Sequence, residues 1–151
     1  MTKIELTTVI DAPIERCFDL ARSIDLHLRS TGNTKERAIA GRTTGLIEKG
    51  ETVTWEAVHF GIKQQLTSRI GEMRPPYYFS DEMVKGAFKS LYHEHYFETL
   101  SGKTEMSDVF MYETPLGVLG SLFDILVLKR YMRGFLEQRN AVIKNEAERK
   151  G

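Results

Sequence analysis

The stretch PLGVLGSLFDILVLKRYMRGFLEQRNAVIKNEAERK, from Pro115 to Lys150, organises the rest of the chain. Pro115 and Gly117 interrupt whatever precedes it, and beyond Gly120 the only internal glycine is Gly134. Apolar residues then recur at intervals of three and four, which is the period of an amphipathic helix. About 30 residues at ~1.5 Å each make a rod of roughly 45 Å. A rod of that length needs a long surface to pack on.

The middle of the chain supplies that surface. Between Thr52 and Glu113, apolar and polar residues alternate in runs that are separated by glycine-containing turns such as Ser101-Gly102-Lys103. This pattern predicts an antiparallel meander with one apolar face. An opening strand over Lys3–Ile10, and a strand pair or one long bent strand over Thr34–Ile47, bring the sheet to about six or seven strands.

Two short helices are predicted after the first strand. Asp11 offers an N-cap with Pro13 in the first turn, and Ser23 caps the second helix. The element order predicts an α+β fold, in which a curved antiparallel sheet wraps round the long C-terminal helix, in a single domain over residues 1–151. A curved sheet and a straight helix do not mate along their whole length, so we expect an internal cavity between them.

Composition narrows the function classes. The 21 Lys and Arg residues balance 21 Asp and Glu residues, which argues against a nucleic-acid partner bound through a broad basic face. Cys17 is the single cysteine, so no intrachain disulfide forms and we expect a cytoplasmic location, with the thiol buried as a small hydrophobe. The longest apolar run, Leu116 to Leu128, contains Asp124 and is shorter than the ~20 residues of a membrane span.

Short motifs spread over nearly the whole chain resemble one group of proteins. They are Asp11-Ala12-Pro13-Ile14-Glu15, Trp55-Glu56-Ala57-Val58-His59-Phe60-Gly61, Phe79-Ser80-Asp81-Glu82-Met83-Val84, His93-Glu94-His95 and Pro115-Leu116-Gly117. The chain resembles the START-like or SRPBCC superfamily, and within it a bacterial subgroup of the polyketide cyclase/dehydrase type. The superfamily includes polyketide cyclases and aromatases, pollen-allergen-like plant proteins and lipid carriers. The resemblance implies a helix-grip fold, but it does not select one activity among carriers, cyclases and regulators.

The strand alternation places several polar residues on the inner, apolar face of the sheet, namely His59, Asp81, His93, His95 and Asp108. Polar groups in an apolar chamber are costly unless they are paired, so each needs a partner or a ligand. Three interpretations stay open: hydrogen bonds that hold the sheet interior together, groups that orient the polar end of a ligand, and a His-His-Asp metal site. Because two histidines two residues apart are a common accident, we predict no metal and no cofactor.

The same residues are the candidates for acid–base chemistry. We take His93, His95, Asp81 and Asp108 as candidate catalytic residues, with the pairs His95–Asp108 and His93–Asp81. A histidine beside a carboxylate would have a pKa suited to proton transfer at neutral pH. The sequence contains no Ser-His-Asp elbow, phosphate-binding loop or dinucleotide fingerprint, so hydrolase, NTPase and dehydrogenase activities lack support.

The predicted function is the binding of a small hydrophobic or aromatic ligand, lipid or polyketide-like, in the cavity. The predicted wall residues are Trp55, His59, Phe79, Leu91, Phe97, Phe110, Phe123 and Tyr131. His27 and Glu36 are weaker candidates, with His27 near the cavity mouth. The alternatives are a cyclase or aromatase-type enzyme that uses the cavity His and Asp groups, and a regulatory protein-interaction module.

The first half of the C-terminal helix is apolar on nearly every side, from Val118 to Leu128. One face can cover the cavity, and the other needs a different partner. The pattern therefore predicts a homodimer contact through this helix, a transient membrane contact, or burial under the two short helices and the Pro75-Pro76 loop. Basic residues further along, Arg139 among them, are explained by the helix dipole.

Overall fold

A seven-stranded antiparallel sheet forms the body of the computed structural model, which describes residues 1–149 apart from the side chain of Asn33. The strand order is β1-β7-β6-β5-β4-β3-β2, so every neighbouring pair except β1–β7 follows the chain. The strands are β1 (Thr2–Ile10), β2 (Arg37–Gly41), β3 (Thr52–His59), β4 (Ile62–Arg74), β5 (Tyr78–Lys85), β6 (Ser90–Leu100) and β7 (Lys103–Glu113).

The helices lie at the two ends of the sequence. Two short helices and a 3₁₀ turn follow β1, and three helical segments follow one another without a break after β7. They are α1 (Ile14–Ala21), α2 (Ile24–Ser30), a 3₁₀ turn (Gly32–Thr34), α3 (Gly117–Phe123), a π-helical segment (Asp124–Leu128) and α4 (Lys129–Ala147). The predicted α+β architecture is confirmed, and Lys150, the last residue of the predicted helix, lies outside the described residues. No helix among residues 1–149 is both long and apolar enough to cross a bilayer.

The inner face of the sheet follows the alternation read from the sequence. Along β6, Leu91, His93, His95 and Phe97 are buried while the residues between them are more exposed. In the register with β7, His93 lies opposite Phe110 and His95 opposite Asp108. The helices cover this inner face, so polar side chains of the central strands are enclosed together with apolar ones.

Of the two predicted helix N-caps, one is confirmed and the other is wrong. Ser23 caps α2, because its hydroxyl accepts the N–H of Leu26 at 3.1 Å. The prediction of Asp11 as the cap of α1 is wrong: α1 starts after Pro13, and no side chain caps it. The backbone N–H of Asp11 instead donates to the carboxylate of Glu148 at 2.8 Å, which ties the end of β1 to the end of α4.

The predicted strand or strand pair over Thr34–Ile47 is also wrong, since only β2 forms there. Gly41 adopts a left-handed φ of 72°, which ends the strand. The backbone N–H of Ile47 then donates to the carbonyl of Arg22, and that of Ile24 to the carbonyl of Gly45. These bonds tie Gly45 and Ile47 to the short helices, while the N–H of Arg42 still donates to the carbonyl of Thr52 on β3.

The apolar start of the C-terminal helix is not covered by the short helices or by the Pro75-Pro76 loop, as one alternative predicted. Val118, Leu119 and Ile125 are 85%, 72% and 78% exposed. The reason is that α1 and α2 pack against α4 and leave α3 and the π-helical segment uncovered on their outer side.

Candidate functional site: a cavity with a polar floor

A cavity of about 440 Å³ lies between the inner face of the sheet and the C-terminal helix. That volume is within the range of about 300–1,000 Å³ that is usual for small-molecule sites. The predicted wall residues found on its lining are Trp55, His59, Phe79, Leu91, Phe110, Phe123 and Tyr131. Most of this wall is aromatic or aliphatic, so the cavity suits an apolar guest.

Phe97, which was predicted as a wall residue, does not line the cavity. Its ring lies 5.4 Å from that of Phe18 on α1 and 6.1 Å from that of Phe79, centroid to centroid. Because α1 lies over this end of β6, Phe97 belongs to the apolar core beneath the short helices.

At the floor of the cavity, two histidines of β6 each bind a carboxylate, one on β7 and the other on β5. The Nε2 atom of His93 lies 2.8 Å from Oδ1 of Asp108 on β7. The Nε2 atom of His95 lies 2.7 Å from Oδ2 of Asp81 on β5. The two imidazole rings stack with their centroids 3.7 Å apart.

The predicted pairs were His95 with Asp108 and His93 with Asp81. The shorter hydrogen bonds are crossed relative to them, although Nδ1 of His95 also lies 3.5 Å from Oδ1 of Asp108. The backbone register does set Asp81 opposite His93 and Asp108 opposite His95. However, the stacked imidazoles direct their Nε2 atoms to the diagonal acids on opposite neighbouring strands.

Helix α4 contributes two polar groups to this floor. Arg139 is buried, and its Nη1 atom lies 3.5 Å from Oδ1 of Asp108. The side-chain amide of Asn140 donates to Oδ2 of Asp108 at 2.8 Å. Assigning Arg139 to the helix dipole was therefore wrong. Its place in the apolar stripe of α4, between Leu136 and Ile143, is the sequence signal that marks it as inward-facing.

Asp108 is the ionised anchor of the floor. It is 1% exposed and does not line the cavity, so it does not contact a ligand as a catalytic residue would. Burial raises its pKa, but hydrogen bonds from His93 and His95 and the charge of Arg139 outweigh burial and hold that pKa well below its usual range. Asp108 thus orients His93 from behind the wall.

His93 titrates outside the range expected for a neutral-pH catalyst. Burial, together with the neighbouring His95, lowers its pKa to about 4, against the raising effect of Asp108. The expectation that a carboxylate partner would place this histidine near neutrality is wrong, because loss of solvent outweighs the attraction of one acid.

Asp81 is the carboxylate that reaches the cavity itself. Its side chain is 21% exposed and forms part of the lining. Burial raises its pKa, but the hydrogen bond and charge of His95, with further charges from His93 and Arg139, leave that pKa below its ordinary value. Asp81 is therefore negatively charged at neutral pH.

A second polar pair stands between β3 and α4. The Tyr131 hydroxyl lies 2.6 Å from Nδ1 of His59. Burial lowers the pKa of His59, and burial together with the charge of Glu36 raises the pKa of Tyr131. At neutral pH the phenol therefore keeps its proton, the imidazole is neutral, and the two groups share one hydrogen bond.

The two weaker candidates, His27 and Glu36, also line the cavity. The Nε2 atom of His27 lies 2.9 Å from Oε1 of Glu36, and its ring lies 4.2 Å from that of Trp55. This pair completes the polar groups at the α2 side of the wall.

The mouth of the cavity is apolar. Leu119 and Phe123 of α3 line the cavity and are also exposed. Phe60, at the tip of the β3–β4 hairpin, lies 5.6 Å from Phe123 and 4.7 Å from Tyr131, measured between ring centroids. These aromatic contacts join the hairpin tip to the helix across the opening.

Local structure fixes where α3 leaves the sheet. A Cβ atom on Gly120 would lie 1.8 Å from the carbonyl oxygen of Pro115, so only glycine permits this turn. In the π-helical segment, the buried Asp124 accepts hydrogen bonds from the hydroxyls of Thr2 and Tyr112. This acid ties the helix to β1 and β7, while its apolar neighbours face outward.

Asp81, His93 and His95 offer donor atoms within 4.8 Å of one another, which is close enough for a metal ion. The present geometry favours hydrogen bonding instead. The Nε2 atom of His95 is already directed at Asp81, and the guanidinium of Arg139 lies 3.4 Å from Nδ1 of His95. A metal ion would have to displace that bond beside a fixed positive charge.

Solved structures with this architecture were found over almost the whole chain. A START superfamily protein from Mycobacterium smegmatis has a TM-score of 0.72 at 13% identity and covers 97% of both chains. The protein has the START-like helix-grip fold. A major latex-like protein from Panax ginseng has a TM-score of 0.69 at 15% identity, with 97% of each chain covered.

A third structure of this kind is TTHA0849 from Thermus thermophilus, with a TM-score of 0.73 at 18% identity over 94% of this chain and 97% of that one. No family model matches the sequence. No curated protein matches it either. At these identities the likeness establishes the START-like fold alone, and the resemblance of fold noted in the sequence is confirmed.

Proposed function

We propose that this START-like protein binds a small hydrophobic or aromatic molecule, lipid or polyketide-like, inside the cavity. The observation that carries the proposal is the cavity of about 440 Å³ with its largely apolar lining. An apolar cavity of this size gains free energy when a ligand removes its walls from water. The polar groups on the wall then fix the orientation of the ligand.

Native mass spectrometry of the protein purified from its own host tests this function. We expect a small molecule that stays with the folded protein and leaves on denaturation. An Ala57→Trp variant fills the cavity from β3 and should carry none, whereas Ala40→Trp places the same ring on the exposed β2 and should retain it. Apo protein in every preparation, with no binding of naphthalene added as a probe, contradicts the proposal.

We further propose that the exposed apolar helix face rests on a lipid surface while ligand enters or leaves. This docking face consists of the outward residues Val118, Leu119, Leu122, Ile125 and Leu126. It is continuous with the cavity mouth, because Leu119 belongs to both. The exposed Lys129, Arg130 and Arg133 follow it along the helix, which suits an anionic bilayer.

A second candidate function is acid–base catalysis of the cyclase or aromatase type. The observation that favours it is the hydrogen-bonded pair of Asp81 and His95 on the cavity wall. The ionised Asp81 can accept a proton from an acidic carbon next to a carbonyl. Turnover of a poly-β-keto substrate that is lost in His95→Ala, while ligand binding persists, supports this function. Turnover that His95→Ala leaves unchanged excludes it.

A further inference from the structure

The cavity floor presents hydrogen-bond acceptors to its guest. Asp81 uses Oδ2 to accept the N–H of His95, and no described residue donates to its other oxygen. An ionised carboxylate has only acceptor sites. The second carboxylate oxygen therefore needs a donor. Because the side chain of Asp81 lies on the lining of the cavity, a ligand can supply that donor.

His93 adds a second acceptor beside it. Asp108 is ionised and can only accept, so the ring proton of His93 is on Nε2, where the 2.8 Å contact lies. In the neutral ring, Nδ1 then carries a lone pair, and among the described residues it has no hydrogen-bond partner. Asp81 and His93 lie directly opposite each other on β5 and β6.

The strong donors at the floor are directed at the protein instead. The two Nη atoms of Arg139 make four contacts, with Asp108, Asn140, the carbonyl of Ala21 and Nδ1 of His95. The amide of Asn140 donates to Asp108. A ligand that ends in a carboxylate would meet the charge of Asp81 and find these donors occupied.

We infer that the ligand carries a hydrogen-bond donor, a hydroxyl or amino group on an apolar body, and directs it at Asp81 with His93 beside it. This inference rests on the ligand-binding function proposed above. It excludes acceptor-ended molecules such as free fatty acids from tight binding, because a buried carboxylate next to Asp81 would be repelled. The class that fits is a phenol, an alcohol or an amine.

Isothermal titration with four naphthalene probes tests this inference. Naphthalene reports on the cavity alone, while 2-naphthol, 2-methoxynaphthalene and 2-naphthoate differ in the polar end. We expect 2-naphthol to bind about tenfold or more tighter than its methyl ether, because a hydrogen bond to a charged acceptor contributes about that factor. The anionic 2-naphthoate should bind most weakly.

Two isosteric variants locate the effect. Asp81→Asn replaces one of the two carboxylate oxygens by an NH₂ group and removes the negative charge. This variant should abolish the preference for 2-naphthol. Glu82→Gln makes the same change on the next residue, whose side chain faces the other side of β5 and binds Arg69, and should keep the preference. Circular dichroism shows whether each variant is folded. The ranking of the four probes on the wild-type protein tests the inference even if a variant does not fold.

The outcomes separate the two proposals. If naphthalene binds but 2-naphthol and its ether bind equally, or 2-naphthoate binds most tightly, the donor inference is overturned and the cavity function stands. If the preference survives Asp81→Asn in a folded protein, the assignment to Asp81 is overturned. If none of the four probes binds, the ligand-binding function fails and this inference fails with it.

Discussion

For the single residues at the floor of the cavity, loss of contact with solvent and the surrounding hydrogen-bond donors together set the charge states. Asp108 stays ionised because His93, Asn140 and the guanidinium of Arg139 surround it with donors, whereas His93 stays neutral because one acid does not compensate for its burial. The same carboxylate thus holds His93 in a single tautomer. Each of these states has a measurable consequence for stability.

Removing the charge of Asp108 should be costly. In Asp108→Asn the buried Arg139 loses its ionic partner, and we expect the free energy of unfolding to fall by about 3–5 kcal/mol. Urea denaturation at pH 7 measures this, with Ser107→Ala on the outward side of β7 as the control. A loss no larger than that of the control would show that Asp108 is not the anchor.

His93 should make the protein less stable in mild acid. Its pKa is about 4 in the folded state and ordinarily 6.5, so between these values the unfolded chain binds a proton that the folded one does not. Stability is therefore lost as the pH falls from 6.5 toward 4. We expect a smaller loss in His93→Gln, measured as the urea midpoint at pH 7 and at pH 5. Thr99→Ala, exposed on the same strand, should keep the wild-type dependence.

At the scale of elements, the C-terminal helix does two different tasks. Its second half, α4, is amphipathic and closes the cavity with Leu136 and Arg139. Its first half is tied to the sheet through Asp124, while most of its apolar side chains point to solvent. A π-helical segment separates the two halves, and such segments occur frequently at functional sites.

The docking face should bind lipid. We expect the protein to co-sediment with vesicles of phosphatidylcholine and phosphatidylserine, and less with phosphatidylcholine alone, because the basic residues beside the face attract anionic headgroups. Leu119→Asp combined with Leu126→Asp should abolish binding, since a charge on this face resists insertion.

The matched control is Val84→Asp, which introduces the same charge at an exposed apolar site on β5, away from the helix. It should leave vesicle binding unchanged. If the wild-type protein binds neither kind of vesicle, the proposal that the docking face binds a lipid surface is wrong. Concentration-dependent dimers that the double substitution dissociates, seen in sedimentation equilibrium, would assign the face to a second copy of the chain.

The gate at the cavity mouth gives a kinetic prediction. Phe60 bridges the β3–β4 hairpin to Phe123 and Tyr131 across the opening. In Phe60→Ala the bridge is lost, and we expect bound 2-naphthol to dissociate several-fold faster in stopped-flow measurements, because the barrier to exit falls. Ile62→Ala, exposed on the same hairpin, is the control. Equal dissociation rates in all three proteins would place the exit elsewhere.

At the scale of the whole molecule, the cavity is a consequence of the fold. A long helix crosses the inner face of a seven-stranded sheet, and the aromatic side chains between them enclose space without filling it. The unfilled volume forfeits packing energy that a ligand can restore. Binding and folding stability are therefore linked.

Ligand should raise the melting temperature. At a free concentration of 2-naphthol one hundred times its Kd, the folded state gains about 2.7 kcal/mol, provided that the unfolded chain does not bind. Differential scanning fluorimetry measures the shift. In the cavity-filling Ala57→Trp variant the shift should disappear, while Ala40→Trp should show the full effect. A shift of equal size in both variants would mean that the probe binds outside the cavity.

The order of the elements, the inward face of each central strand and most of the cavity wall could be predicted from the residue pattern. This is possible because the side-chain period is local: strands alternate with period two and helices with about 3.6, whatever packs on them. For the run from Leu91 to Phe97, alternation alone therefore predicts which side chains face inward. That Phe97 lies outside the cavity depends on its contact with Phe18 of α1.

The way in which the polar groups pair could be seen only in the folded protein. The crossed pairs of His93 with Asp108 and His95 with Asp81 depend on ring stacking and diagonal reach, which a strand pattern does not encode. Arg139 joins them from an element distant in sequence, and burial rather than pairing sets the pKa of His93. Such contacts depend on three-dimensional distances of a few ångströms, whereas sequence periodicity specifies only direction.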